Sequence, residues 1–340
     1  MMNDYTQVTI YDILGTKPVP YKFDKPIRLI ELFGGIGSQA MALKRLQVPF
    51  EHYRLVEFDK YAIKSYNAIH GTDFTTTDIR DVKGSDLGIT DTHLYTYLMT
   101  YSFPCQDLSV AGKQKGMTKG SGTRSGLLWE VERLLNETNE LPQVLLMENV
   151  PQVHSKANMP DFEKWLSFLE YKGYTNFWQD LNAKDYGVAQ SRNRCFCVSL
   201  LGNYSYTFPD KIPLDKCMKD YLEDEVDEKY YLKGEKVQEL IDKLIKSGNT
   251  LTDRQTDRQT DRQSNCRLMQ SQSTNQEQSC QDKIEESVTF QDKVAECSSI
   301  GYLDRGTGKH QSNMVYDANG IMPTQYAVQY KEPFKVVVDE

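Results

Sequence analysis

One stretch near the start of the chain limits the possible folds more than any other. Ile27-Arg28-Leu29-Ile30-Glu31-Leu32-Phe33 reads as a buried strand, Gly34-Gly35-Ile36-Gly37 breaks it, and Ser38 to Leu46 carries helical apolar spacing at Met41, Leu43 and Leu46. A second strand (Tyr53 to Glu57) and helix (Lys60 to Ile69) follow at once, and Thr77-Asp78-Ile79 reads as a third strand-like step. Tyr95 to Tyr101 and Val144 to Met147 are two further short apolar strands, with a helix from about Gly126 to Leu135 between them. Strands alternating with helices of this length predict an α/β fold with a mostly parallel, doubly wound, Rossmann-like sheet. In such sheets the site lies beyond the carboxyl ends of the strands. The candidate residues all fall at those ends.

The glycine loop lets backbone N–H groups approach a cofactor closely. Glu57 stands twenty residues beyond Gly37, where a carboxylate can bind ribose hydroxyls. This pattern suits a nicotinamide dinucleotide as well as S-adenosylmethionine. The third glycine of the dinucleotide fingerprint is absent, since Gln39 and Ala40 stand where it would fall. Asp78 is placed either to receive an adenine amino group or simply to cap a helix.

Cys105 follows Ser102-Phe103-Pro104 at a strand end and enters a loop with Gly112, Gly116, Gly120 and Gly122. A buried structural cysteine is the ordinary alternative. Glu148, after Val144-Leu145-Leu146-Met147, would be costly to bury without a partner. A carboxyl in that setting is expected to have a raised pKa and to donate a proton. In Gln190-Ser191-Arg192-Asn193-Arg194, before the strand Cys195 to Leu200, alternation sets both arginines on one face, unless they are ordinary surface arginines.

The net charge of -8 argues against a nucleic-acid partner only if charge is averaged over the chain. Between Gln106 and Ser125, Lys113, Lys115, Lys119 and Arg124 face only Asp107, while acid concentrates in Glu223-Asp224-Glu225-Val226-Asp227-Glu228. Seven cysteines without framework spacing point to a reducing cytoplasm. Cys195-x-Cys197 lacks the companion ligands of a zinc site, and no metal is expected. No secretory signal or membrane-length apolar run is present.

Beyond Asn203 the pattern changes. An amphipathic helix is expected from Tyr230 to Ile245. Thr252-Asp253-Arg254-Gln255 then repeats twice more, and a polar tract continues to about Gln281. It reads either as a solvated insertion or as an arginine-bearing DNA-contacting loop, although each Arg is neutralised by its own Asp.

From Ile27 to Leu200 these motifs, in their order and spacing, resemble the cytosine-5 DNA methyltransferases of phage and bacteria. The set runs from Phe33-Gly34-Gly35-Ile36-Gly37 through Glu57-Phe58-Asp59 and Asp78-Ile79 to Pro104-Cys105-Gln106. Arg124-Ser125-Gly126-Leu127, Glu148-Asn149-Val150 and Gln190-x-Arg192-x-Arg194 complete it. The resemblance implies methyl transfer from S-adenosylmethionine to carbon 5 of cytosine in a specific duplex DNA site, in a restriction-modification or phage anti-restriction setting. It implies Cys105, Glu148, Arg192 and Arg194 as catalytic residues. Phe33, Gly35, Gly37, Glu57, Phe58, Asp78, Ile79 and Pro104 would bind the cofactor. Gln106, Ser109, Lys113 and Arg124 would meet DNA.

The implied organisation is an N-terminal extension (1–26), a catalytic domain (27–202) and a partial target-recognition region (203–340) with an insertion at about 250–281. The stretch Val315-Tyr316-Asp317-x-x-Gly320-Ile321-x-Pro323-Thr324 resembles the one that precedes the family's last two motifs, which do not follow it. A second chain supplying those motifs is therefore an expected partner beside double-stranded DNA, and an apolar face near Ile30, Met41 and Leu43 is expected to be exposed. A tRNA-methylating relative, a nicotinamide-dependent oxidoreductase and an inactive DNA-binding or assembly subunit are the rival readings.

Overall fold

A computed structural model of the protein describes residues 17–108, 116–222, 299–302, 314–317, 322–323 and 335–337. The expected helix at Tyr230–Ile245, the Thr252–Gln281 tract, Ser109 and Lys113 lie outside the described residues. The chain forms two compact units, Met1–Leu181 with Asn193–Pro209, and Asn182–Arg192 with Asp210–Glu340. The division follows contacts rather than chain order, so residues 182–192 group with the later part of the chain.

The first unit begins with a short strand, β1 (Val19–Pro20), followed by β2 (Ile27–Leu32), α1 (Ser38–Arg45), β3 (Phe50–Val56) and α2 (Lys60–His70). Next come β4 (Thr96–Tyr101), α3 (Leu128–Glu137), β5 (Val144–Asn149), α4 (Met159–Tyr171) and β6 (Tyr174–Asn182). After β7 (Gln190–Ser191), which belongs to the second unit, β8 (Asn193–Leu201) and β9 (Tyr204–Ser205) complete the first. Six strands make one sheet in the order β3-β2-β4-β5-β8-β6. β2 runs parallel to β3 and β4, and β4 runs parallel to β5. β8 is antiparallel to β5. The sheet is therefore mostly parallel, and its reversal at β8 decides the site.

Parallel strands must be covered on both faces, and β4 is buried along its whole length. On one face Tyr97, Met99, Tyr101, Leu145, Met147 and Cys197 pack with Leu128, Leu134, Phe162 and Trp165 of α3 and α4. On the other, Ile27, Leu29, Leu98, Val144, Val198 and Leu200 meet Ala40 and Leu43 of α1 and Tyr21, Tyr204 and Phe208. Ile30 is fully buried in the first of these layers, so it does not belong to an exposed patch beside α1. The stretch before Ile27 is partly built into this unit. β1 pairs in parallel with β9, and the Tyr21 ring meets Tyr204 edge-on at 4.8 Å.

Thr77-Asp78-Ile79 is not a strand. Asp78 accepts from Arg80 N–H at 3.0 Å and caps a single 3-10 turn over Ile79–Asp81. A short side chain that bonds its own backbone competes with extended structure, and here it wins. In the second unit β7 pairs in parallel with β12 (Met322–Pro323), and β10 (Ser299–Tyr302), β11 (Met314–Asp317) and β13 (Lys335–Val337) form a three-stranded sheet. No helix among the described residues is long and apolar enough to cross a membrane.

Candidate active site

Strand register gathers the motifs at one edge. Leu32 pairs with both Val56 and Tyr101, and Tyr101 pairs with Met147, so the ends of β2, β3, β4 and β5 are level. The loop at Phe33, the Glu57 carboxylate and the Ser102–Cys105 segment leave the sheet at that level, and Glu148 stands one residue further along β5, paired with Phe196 of β8. Because β8 is antiparallel, its first residues reach the same edge, with Cys195 opposite Asn149.

The loop after β2 is shaped by left-handed backbone at Phe33 (φ 57°) and Gly37 (φ 81°). A Cβ at Gly37 would stand 2.3 Å from His70 Nε2 and 2.6 Å from Tyr66 Cε2, so this approach requires glycine. Glu57 fastens the loop. Its Oε2 accepts from Gly35 N–H at 2.8 Å and its Oε1 from Asp59 N–H at 2.8 Å. Beneath lies a chain that sequence reasoning missed. Glu31, 1% exposed, accepts from the Tyr66 hydroxyl at 2.5 Å, and His52 Nδ1 meets the same hydroxyl at 2.8 Å. Burial pushes the Glu31 carboxyl up to about 7, against the pull of its bonds to Tyr66 and the Ala40 N–H. Burial, with His70 and Lys44 nearby, brings His52 down to about 4.

A cleft of about 1290 Å³ opens beside this loop, lined by Phe33, Glu57, Phe58, Asp78, Ile79 and Pro104 among others. Six of the eight expected cofactor residues thus share one wall system, while Gly35 and Gly37 form the loop behind it. Phe58 is 72% exposed, an apolar ring left beside the Glu57 carboxylate. Of the two roles open to Asp78, the cap is the one seen. Both its oxygens receive the Arg80 guanidinium, with Nη2 at 2.5 Å from Oδ2, and this bond holds its carboxyl below the usual range.

Cys105 is half-buried and in no disulfide. Asn149 Nδ2 donates to Phe103 O at 2.9 Å, tying the end of β5 to the Cys105 segment. Ser125 Oγ donates to Pro104 O at 2.6 Å. Asp107, which the sequence offered only as a stray charge, is buried and accepts from Arg124 N–H at 2.8 Å. The Arg124 guanidinium is turned onto Gln106 Oε1 at 2.5 Å, and Lys119 pairs with Glu132. Two of the four cations of the Gln106–Ser125 stretch therefore hold partners within the chain.

Arg194 Nε lies 3.0 Å from Glu148 Oε1, with side chains only 14% and 20% exposed. The carboxyl that the sequence left without a partner has one. Arg192 belongs to the second unit, where its N–H donates to Asn182 Oδ1 at 2.9 Å and its carbonyl accepts from Ala183 N–H at 3.0 Å.

Such a sheet, with a cleft and an acidic residue after β3 beside a glycine loop, is of the Rossmann-like class that binds nucleoside cofactors. The fold likeness extends to the Entamoeba histolytica methyltransferase EhMeth, at a TM-score of 0.50 and 20% identity over 62% of this chain and 64% of that one. The family model of the C-5 cytosine-specific DNA methylases matches residues 27–333, and the chain belongs to that family of enzymes. The type II methyltransferase M2.ScrFI of Lactococcus lactis subsp. cremoris is 35% identical over 261 residues, 63% of this chain and 72% of the relative. The orphan methyltransferase M.SssI of Spiroplasma monobiae is 36% identical over 234 residues, 53% of this chain and 61% of the relative.

Proposed function

We propose that the protein transfers a methyl group from S-adenosylmethionine to carbon 5 of cytosine in duplex DNA. One observation carries this reading: the Cys105 segment and the Glu148–Arg194 pair meet at one sheet edge, beside the cleft that Glu57 borders. The cleft suits a methionine-linked nucleoside. Glu57 would hold the ribose hydroxyls, Phe58 and Ile79 would flank the adenine, and the Phe33–Gly37 loop would face the methionine end. When bound, the cofactor supplies the electrophilic methyl group.

The chain's own residues do the rest. Carbon 5 of cytosine is a poor nucleophile inside an aromatic ring. The Cys105 thiolate adds to carbon 6, while Glu148 holds the N3 and amino edge and protonates N3, so electron density collects on carbon 5. Arg194 holds Glu148 in place and meets the O2 edge. After methylation the carbon 5 proton is lost to water, the sulfur departs as thiolate and N3 returns its proton to Glu148, restoring the ring. Reaching these atoms requires the cytosine to be flipped out of the helix. Gln106, Ser109, Lys113 and Arg124 would contact DNA around it, Arg124 by exchanging its bond to Gln106 for phosphate. The name of M2.ScrFI as a type II methyltransferase supports a modification role at a specific site. Such a role suits the cytoplasm, where the thiol stays reduced. A second chain bearing the family's last two motifs is a partner to be tested in the same assay.

A duplex containing 5-fluorocytosine tests the reading, because its fluorine cannot leave as the proton does. With cofactor present, a denaturant-resistant complex is expected, and none with Cys105→Ala. Trapping that survives Cys105→Ala, or methylation of tRNA in preference to duplex DNA, would overturn it.

A further inference from the structure

Cys195 lacks zinc-binding companions in its own stretch of sequence, yet the fold supplies two from elsewhere. His154 closes the 3-10 turn Pro151–His154 that follows Glu148-Asn149-Val150 directly. Asp180 comes from β6 and Cys195 from β8, so three separate elements converge. One donor atom from each of His154, Asp180 and Cys195 lies within 4.8 Å of the other two, and His154 Nε2 is 2.9 Å from Asp180 Oδ1.

We propose that His154 Nε2, an Asp180 carboxylate oxygen and Cys195 Sγ form a binding site for a divalent cation of the zinc class. The donor set is nitrogen, oxygen and sulfur, which suits zinc and its neighbours far better than magnesium or calcium. In a tetrahedral zinc site with ordinary bond lengths, donor atoms stand about 3.3–3.6 Å apart. The present separations reach those values by side-chain shifts of roughly an ångström or less. The imidazole is backed by the Trp178 ring at 4.9 Å and the Phe162 ring at 6.3 Å, which restrict its rotation. Cys195 is wholly buried, while the His154 and Asp180 side chains are 22% and 31% exposed, so the site has an open side for the ion and a water.

The ion would pin the turn after Glu148 to β6 and β8. His154, Asp180 and Cys195 are thus positioning residues for the base-binding edge, not catalytic ones. The bland alternative is a plain His–Asp ion pair beside a core cysteine, and it binds no metal.

The test uses the full chain, stripped by a chelator and titrated with Zn2+ against a chromophoric competitor. One equivalent should bind, and His154→Gln and Cys195→Ser should each weaken it on the order of 100-fold. Co2+ should give a sulfur-to-metal charge-transfer band that Cys195→Ser abolishes and that Cys105→Ser and Cys197→Ser keep. Zn2+ should also raise the melting temperature of the parent chain and not of His154→Gln, whose fold is checked by an unchanged melting temperature without metal. Absence of stoichiometric binding, or binding that His154→Gln leaves unchanged, would overturn the proposal.

Discussion

Arg194 and Glu148 face each other across the antiparallel seam between β5 and β8, with Nε 3.0 Å from Oε1. A charge-assisted bond between two mostly buried groups is among the stronger side-chain contacts. Arg194→Ala should cost about 1–3 kcal/mol of stability and lower the methylation rate on the order of 10²-fold. Affinity for duplex DNA, measured by fluorescence anisotropy, should change much less. An equal loss in binding and rate would mean that Arg194 serves DNA contact rather than Glu148.

Glu57 accepts with one oxygen from Gly35 N–H in the loop after β2 and with the other from Asp59 N–H in its own loop, so it ties the two loops together before any ligand arrives. Glu57→Ala should weaken S-adenosylmethionine binding at least about tenfold, through the lost ribose contact and the loosened Gly35 turn. Glu57→Gln keeps one acceptor oxygen and should lose less. Calorimetric titration decides, and an unchanged affinity in Glu57→Ala would remove Glu57 from the site.

Arg80 occupies the carboxylate that an adenine amino group would need. Arg80→Ala should release Asp78 and tighten cofactor binding by about 2–10-fold, the effect of one hydrogen bond. Asp78→Ala should weaken it. If Arg80→Ala weakens binding instead, the guanidinium is itself a cofactor contact.

Glu31 sets a pH dependence with a defined sign. Its carboxyl titrates near 7 in the folded chain, against an ordinary value of 4.5. Between those values the folded state keeps a proton that the unfolded state has lost, so stability falls as pH rises through the window. The full cost, on the order of 3 kcal/mol, is present above about pH 7. Glu31→Gln should therefore gain stability relative to the parent as pH rises from 4.5 to 7, and stay level above that. Urea unfolding across this range isolates the difference, since His52 contributes to both proteins. Parallel curves would show that Glu31 does not change charge there.

Much of this was legible because the motifs sit where strand periodicity gives way to glycine or proline. The first strand, the Gly34–Gly37 break and α1 were read within a residue or two of their observed bounds. Thr77–Ile79 was misread because three residues carry no periodicity, and the Asp78 side chain settles the matter locally. Phe162, Trp165 and Leu169 carry helical spacing for α4 that went unread. The partner of Glu148 was invisible for a topological reason. β8 lies beside β5 although α4 and β6 intervene in the chain, and no local pattern records that pairing.

The place of β8 also fixes an order of assembly. β6 is made first, yet its neighbour in the sheet is β8, so it has nothing to join until β8 arrives. At ribosomal speeds of about 5–20 residues per second, the stretch from the end of β6 to the end of β8 takes roughly 1–4 s. Throughout that interval β5 is an unprotected sheet edge, and Glu148 waits there without its guanidinium. The seam that carries Glu148 and Arg194 thus closes late, just before β6 can dock, and slow arrival of β8 would leave a nascent chain prone to edge-to-edge association.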